Sequence, residues 1–151
     1  MKILFVCLGN ICRSPAAEAI MQQLIGDRLD ISCDSAGTSS HHLGELPDKR
    51  MHAALEKRGY PHRSRSRQVK SQDFYDFDLI LAMDHDNHRN LQRICPDPQL
   101  LSKLKLMCEY CEQHQMDEVP DPYFGGLNGF TQVIDLLEDA CLGLWKSLQR
   151  S

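Results

Sequence analysis

Four short apolar runs constrain this chain more than any other feature. They are Ile3–Cys7, Ile31–Asp34, Leu79–Met83 and, less cleanly, Leu104–Met107. A strand with one wet face alternates polar and apolar residues; these runs do not, so they suit a parallel sheet covered on both faces. Helical patterns lie between them. Ala17, Ile20, Met21 and Leu24 make one apolar stripe, and Pro47-Asp48 precedes Met51, Ala54 and Leu55 with Gly59 as a stop. Asp84 to Arg93 reads as a polar amphipathic helix, and Phe130, Val133, Ile134, Leu137, Cys141, Leu144 and Leu148 mark a long final one. Strand–helix alternation predicts right-handed crossovers and a doubly wound α/β sheet, a single domain over residues 1–151 with helices on both faces. Ligands of such sheets bind at the carboxyl ends of the strands.

Composition narrows the partners. The chain has 151 residues, enough for one core, and a formal net charge of −4, so a nucleic-acid backbone is not an expected ligand. No apolar run is long enough to insert in a membrane, and the apolar stretch after Met1-Lys2 is too short for a secretory signal. Seven scattered cysteines, an odd number, then read as thiols of a reducing compartment, which predicts a cytoplasmic location. Cys108-Glu109-Tyr110-Cys111 is half of a zinc pattern with no second half, so no metal and no cofactor are expected; a strand end with a turn is the simpler reading.

The first run leads into Cys7-Leu8-Gly9-Asn10-Ile11-Cys12-Arg13-Ser14-Pro15. Ser14 suits an N-cap and Pro15 the first helical position, which places a loop between first strand and first helix. Loop amides and a helix N-terminus converging on one point form an oxyanion cradle without any lysine. Arg13 adds a fork for two phosphate oxygens. Gly9 allows unusual backbone angles, and Asn10 tolerates left-handed geometry while bonding nearby backbone. The same field favours the thiolate of Cys7, held for in-line attack on phosphorus. On spacing alone, Cys7 reads equally well as a buried strand-end thiol; the strand, the Gly-Asn and the Ser-Pro favour the site. The loop lacks the GxxxxGK[ST] pattern of Walker-type nucleotide binding. An acid is also required, and Pro120-Asp121-Pro122-Tyr123-Phe124 is the best segment for one, although it also reads as a turn with aromatics packed on the core.

These residues resemble the low molecular weight protein tyrosine phosphatases. The match lies in Val6 to Pro15, in Asp34-Ser35-Ala36-Gly37-Thr38, in Phe77 to Asp84, and in Asp121-Pro122-Tyr123. The resemblance implies a four-stranded parallel sheet and hydrolysis of phosphotyrosine without metal. Cys7 would form a phosphocysteine, Arg13 with the Leu8 to Ser14 amides would hold the phosphoryl oxygens, and Asp121 would be acid and then base. Ser14 would bond the Cys7 sulfur, and Asn10, helped by Ser35, would brace the loop. Cys12 would be a reversible disulfide partner of Cys7. Leu8, Ile11, Tyr123, Phe124 and the loop after Thr38 would flank the substrate ring. There the sequence departs from the family: His41 stands where Trp or Tyr is usual. Tyrosine-phosphorylated proteins are the implied partners, and a monomer is expected.

Two readings compete. Arsenate reductases of the same fold pass electrons through added cysteines, and Cys95, Cys108 and Cys111 are available; no suitably spaced pair follows Met83, however, and Tyr123-Phe124 favours an aryl group. A non-catalytic phosphate-binding module would need neither nucleophile nor acid. The run Arg63-Ser64-Arg65-Ser66-Arg67 reads as a solvated turn, with docking of acidic surfaces as the alternative. His41-His42, His85 and His88 read as surface residues.

Overall fold

A computed structural model of the chain describes residues 1–122 and 128–150. Its centre is a four-stranded, all-parallel sheet in the order β2-β1-β3-β4. The strands are β1 (Lys2–Cys7), β2 (Ser32–Gly37), β3 (Leu79–Ala82) and β4 (Leu104–Leu106). The apolar runs place all four, but β2 extends to Gly37, three residues past the expected end. Ser35, Ala36 and Gly37 interrupt the apolar pattern while still pairing with Phe5, Val6 and Cys7.

The helices are α1 (Arg13–Ile25), α2 (Lys49–Lys57), a single turn α3 (Asp73–Asp76), α4 (His85–Ile94) and α5 (Asn128–Gln149). Short 3-10 turns at Pro98–Lys103 and Met107–Tyr110 flank β4. The sheet divides the interior into two cores, and the strand period shows why. Ile3, Phe5, Cys7, Leu79 and Leu81 face α1 and α5, while Leu4, Val6, Ile80 and Ala82 face Phe74 and Leu91 on the other side. All nine side chains are buried, which is why no polar alternation shows in the sequence.

Two local expectations change. Ser14 is not the N-cap: α1 begins at Arg13 with Cys12 in the cap position, and the Ser14 hydroxyl turns elsewhere. The first half of α1 is also buried on more than one stripe, from Arg13 to Met21, because it is covered by the sheet on one side and α5 on another. Asp48 caps α2 by accepting from the amides of Arg50 and Met51, and Gly59 follows the helix at a positive φ of 83°, as the glycine stop predicts. Near its end α5 lies directly on the Met107–Tyr110 turn. A Cβ at Gly143 would sit 1.9 Å from the Tyr110 carbonyl oxygen, so only glycine allows this approach. Among the described residues, no helix is long and apolar enough to cross a membrane.

Candidate active site

The strand order 2-1-3-4 reverses direction between β1 and β3, and the site lies at the carboxyl ends of those two strands. Cys7 is the last residue of β1, and Asp84 follows β3 by two positions. Between them stands Arg13, 3% exposed despite its charge.

The loop from Cys7 to Ser14 is held by bonds that pull its carbonyls outward. The amides of Thr38 and Ser39 donate to the carbonyls of Cys7 and Leu8, and the amide of Asp48 to that of Ile11. The Ser66 hydroxyl donates to the Gly9 carbonyl at 2.9 Å. Asn10 takes the left-handed conformation, φ 57°, and it is the non-glycine residue of positive φ among the described residues. Gly9 does not need that region, contrary to the sequence reading; its missing side chain leaves room for His42, whose Cδ2 would lie 2.9 Å from a Cβ there. Gly37 is tighter still, since a Cβ would sit 2.7 Å from the Leu8 carbonyl oxygen.

A short relay reaches the sulfur. The Arg67 amide donates to Asn10 Oδ1 at 3.0 Å, and Asn10 Nδ2 donates to Ser14 Oγ at 2.8 Å. Ser14 Oγ lies 3.0 Å from Cys7 Sγ. With its acceptor side filled by Asn10, the hydroxyl has its proton free; the competing Ala36 carbonyl is longer, at 3.4 Å. The Asn10 amide adds a second bond to Cys7 Sγ at 3.3 Å. Two donors therefore converge on one buried sulfur.

Arg13 is fixed by groups far away in sequence. Its Nη1 donates to Asp84 Oδ2 at 2.6 Å and to the Val119 carbonyl at 2.9 Å, while Nη2 lies 3.7 Å from Asp121 Oδ2. Burial alone would lower the Arg13 pKa; the charges of Cys7, Asp84 and Asp121 outweigh it and hold the value above normal. Asp84 divides its work, since its Oδ1 caps α4 by accepting from the Asn87 amide at 2.7 Å. A cleft of about 190 Å³ opens above these groups, lined by Cys7, Cys12, Arg13 and Asp121 and walled by Leu8, Ile11, His41 and His42. Leu8 is 47% exposed, an apolar face at the mouth that a flat ring would cover.

The chain as a whole also matches known proteins. The family model for low molecular weight phosphotyrosine protein phosphatase matches residues 2–151. The chain belongs to that family.

A putative low molecular weight protein-tyrosine-phosphatase from Synechocystis is 58% identical over 151 residues, covering 98% of this chain and 96% of the relative. The human low molecular weight phosphotyrosine protein phosphatase is 39% identical over 145 residues, with 93% and 90% coverage. A crystal structure of the protein tyrosine phosphatase from Entamoeba histolytica, with Hepes in its active site, superposes with a TM-score of 0.95 at 50% identity, covering 99% of this chain and 97% of that one.

Within this phosphatase fold, the residues singled out from the sequence fall as follows. Cys7, Leu8, Gly9, Ile11, Cys12, Arg13, His41 and Asp121 all line the cleft. Asn10 and Ser14 lie beneath it as the relay. Ser35 does not bond Asn10: its hydroxyl donates to Glu18 Oε1 at 2.5 Å, on the α1 side of the sheet. The Cys12 thiol is pushed well above its usual range, first by burial and then by Asp48, Cys7 and Asp121, so it is a neutral neighbour of the nucleophile position. Tyr123 and Phe124 lie outside the described residues.

Sequence reasoning missed four contributors. His42 was read only as surface, yet it forms wall beside His41 and pairs with Glu45. Asp84 had a signal, being an N-cap acid just after a strand at the ligand-binding edge. Arg67 was read as part of a solvated run, but it forks onto both oxygens of Asp73 at 3.1 and 3.2 Å and onto Asp34 at 3.2 Å. Glu18, 5% exposed, had no signal; burial lifts its carboxyl to about 7, against help from Ser35. His62 Nε2 lies 3.5 Å from Glu18, and burial lowers that imidazole, so burial works against charge on both partners.

Proposed function

We propose that this chain hydrolyses phosphotyrosine on proteins through a phosphocysteine formed at Cys7. The observation that carries this reading is the pairing of a doubly hydrogen-bonded buried sulfur with Arg13, whose guanidinium reaches toward Asp121. With the loop carbonyls tied outward, the loop amides are the groups left to meet phosphate oxygens, and the free edge of Arg13 adds a charged fork.

The steps follow from that arrangement. The Cys7 thiolate attacks phosphorus in line with the ester oxygen; the S–P bond forms as the P–O bond breaks. Asp121, protonated, gives its proton to the departing phenolate. Water then enters, Asp121 takes one of its protons, and the oxygen attacks phosphorus as the Cys7 sulfur leaves as thiolate. Inorganic phosphate is the second product. Charge on the equatorial oxygens is met throughout by Arg13 and the loop, which are already in place. Ser14 stabilises the sulfur each time it departs or waits. Leu8, Ile11 and His41 would flank the ring, with Tyr123 and Phe124 as further wall residues.

The catalytic groups all come from one chain, which supports a working monomer. All seven cysteines are free, which supports a cytoplasmic setting, where thiols persist. Rapid mixing with p-nitrophenyl phosphate tests the mechanism. A burst of p-nitrophenol matching the enzyme concentration is expected, with phosphorus found on Cys7 by mass spectrometry. Linear product release with no modified Cys7 would overturn it.

A further inference from the structure

The basic run that the sequence shows at 63–67 is split by the fold. Arg67 turns inward to Asp73 and Asp34, and Ser66 ties the catalytic loop. Arg63 and Arg65 stay exposed and line a second groove, of about 650 Å³, together with Lys49 from the start of α2. This groove adjoins the catalytic cleft, since Ile11 and His42 line both.

The charge of the groove is positive where it is unspent. Its carboxylates are already engaged: Asp48 takes the Arg50 guanidinium and two helix amides, and Glu45 pairs with His42. Arg63 is 75% exposed in its side chain and only loosely near Glu56, at 3.8 Å. Arg65 is anchored by one hydrogen bond to the Gly44 carbonyl at 2.7 Å and, among the described residues, has no carboxylate partner. Lys49 likewise has no ion pair among the described residues. On a chain of net charge −4, this local reversal of sign beside the cleft favours an anionic occupant.

We propose that this groove binds acidic residues flanking the phosphotyrosine of the substrate, so that Lys49, Arg63 and Arg65 select among phosphoproteins. The inference rests on the phosphatase reading above. A peptide whose phosphotyrosine enters the cleft must leave past Ile11 or another wall, and on the His42 side it meets these three cations. The groove supplies no chemistry; it adds binding to long substrates and none to a lone aryl phosphate.

The test compares three phosphotyrosine peptides of one length, with Glu, Ala or Lys flanks, against p-nitrophenyl phosphate. For the wild type, kcat/KM for the acidic peptide should exceed that for the alanine peptide by about three- to tenfold at low salt, the size expected of two or three exposed ion pairs. That advantage should shrink in strong salt. Lys49→Glu/Arg63→Glu should remove it, and Arg65→Gln alone should reduce it, while turnover of p-nitrophenyl phosphate stays at the wild-type level in both. Equal kcat/KM for the acidic and alanine peptides, with p-nitrophenyl phosphate hydrolysed normally, would overturn the groove and leave the phosphatase reading intact. So would variants that slow p-nitrophenyl phosphate as much as the acidic peptide. Failure to hydrolyse any aryl phosphate would sink the phosphatase reading, and the groove assignment with it.

Discussion

The loop from Cys7 to Ser14 and the wall from Ser39 to Pro47 border one cleft but are built by opposite rules. In the loop the carbonyls of Cys7, Leu8, Gly9 and Ile11 and the Asn10 side-chain oxygen take partners from distant segments: residues 38, 39, 48, 66 and 67 all bond to it. Its nucleophile, arginine and serine are buried. The wall is mostly exposed, and much of its bonding is local, such as Leu43 to Ser40 and Glu45 to His42. The contrast separates two requirements. A nucleophile aimed at phosphorus needs a frame that does not move, whereas a surface that chooses substrates has to differ from one relative to the next. Changes in the loop should therefore be large and indifferent to substrate, and changes in the wall small and substrate-dependent.

The sharpest attempt to break this contrast is Cys7→Ser. Turnover should fall by at least ~10⁴-fold for every substrate, since a hydroxyl in this field is a far weaker nucleophile. Thermal unfolding should scarcely change, because the replacement is nearly the same size. Next, Asp121→Ala should lower kcat on phosphotyrosine by ~10²- to 10⁴-fold. The loss should be smaller on p-nitrophenyl phosphate, whose leaving group needs less help; equal losses on both would remove Asp121 from the role of acid.

A third measurement sharpens the contrast by reading the stability of the frame behind the loop. Glu18 sits at about 7 instead of its ordinary 4.5, lifted by burial. The fold prefers the protonated form, so its contribution is full below about pH 4.5 and is lost as pH rises through 7. Glu18→Gln should remove that dependence. Relative to the variant, the wild type should lose up to ~3 kcal/mol between about pH 5 and 8 in urea unfolding. Parallel curves would show that Glu18 is not held neutral. The smallest effect is expected in the wall. His41→Trp should alter kcat/KM by about two- to fivefold, in a direction that depends on the aryl group, as one added aromatic contact allows. A uniform loss across substrates would mean that the wall belongs to the frame, and the contrast would fail.

The two regions also differ in how far they could be read from sequence. Strands β1 and β3 were legible because burial on both faces leaves an unbroken apolar signature, and α2 because Asp48 and Gly59 punctuate it. Within the loop, the chemistry was legible from residue type alone: a thiol, an arginine and a left-handed asparagine in one short span. Its supports were not. Asp84 is 71 residues from Arg13 and Arg67 is 57 from Asn10, and no local period records such pairs. Ser35 looked like a loop brace but bonds Glu18 on the overlying helix, a choice that depends on how α1 lies over β2. The Ser14 cap failed for a related reason, since the sulfur and Asn10 compete for the same hydroxyl and win.

Arg13 joins three stretches of chain that are made at very different times during synthesis: its own at the start, Asp84 midway, and Val119 late. The Val119 amide in turn closes on the Met83 carbonyl. A growing polypeptide that has delivered its sulfur but not yet residue 119 holds an arginine with half its anchors and no acid. Such a fragment would be inert toward phosphate esters, so a ribosome releases catalytic power only with the last fifth of the protein.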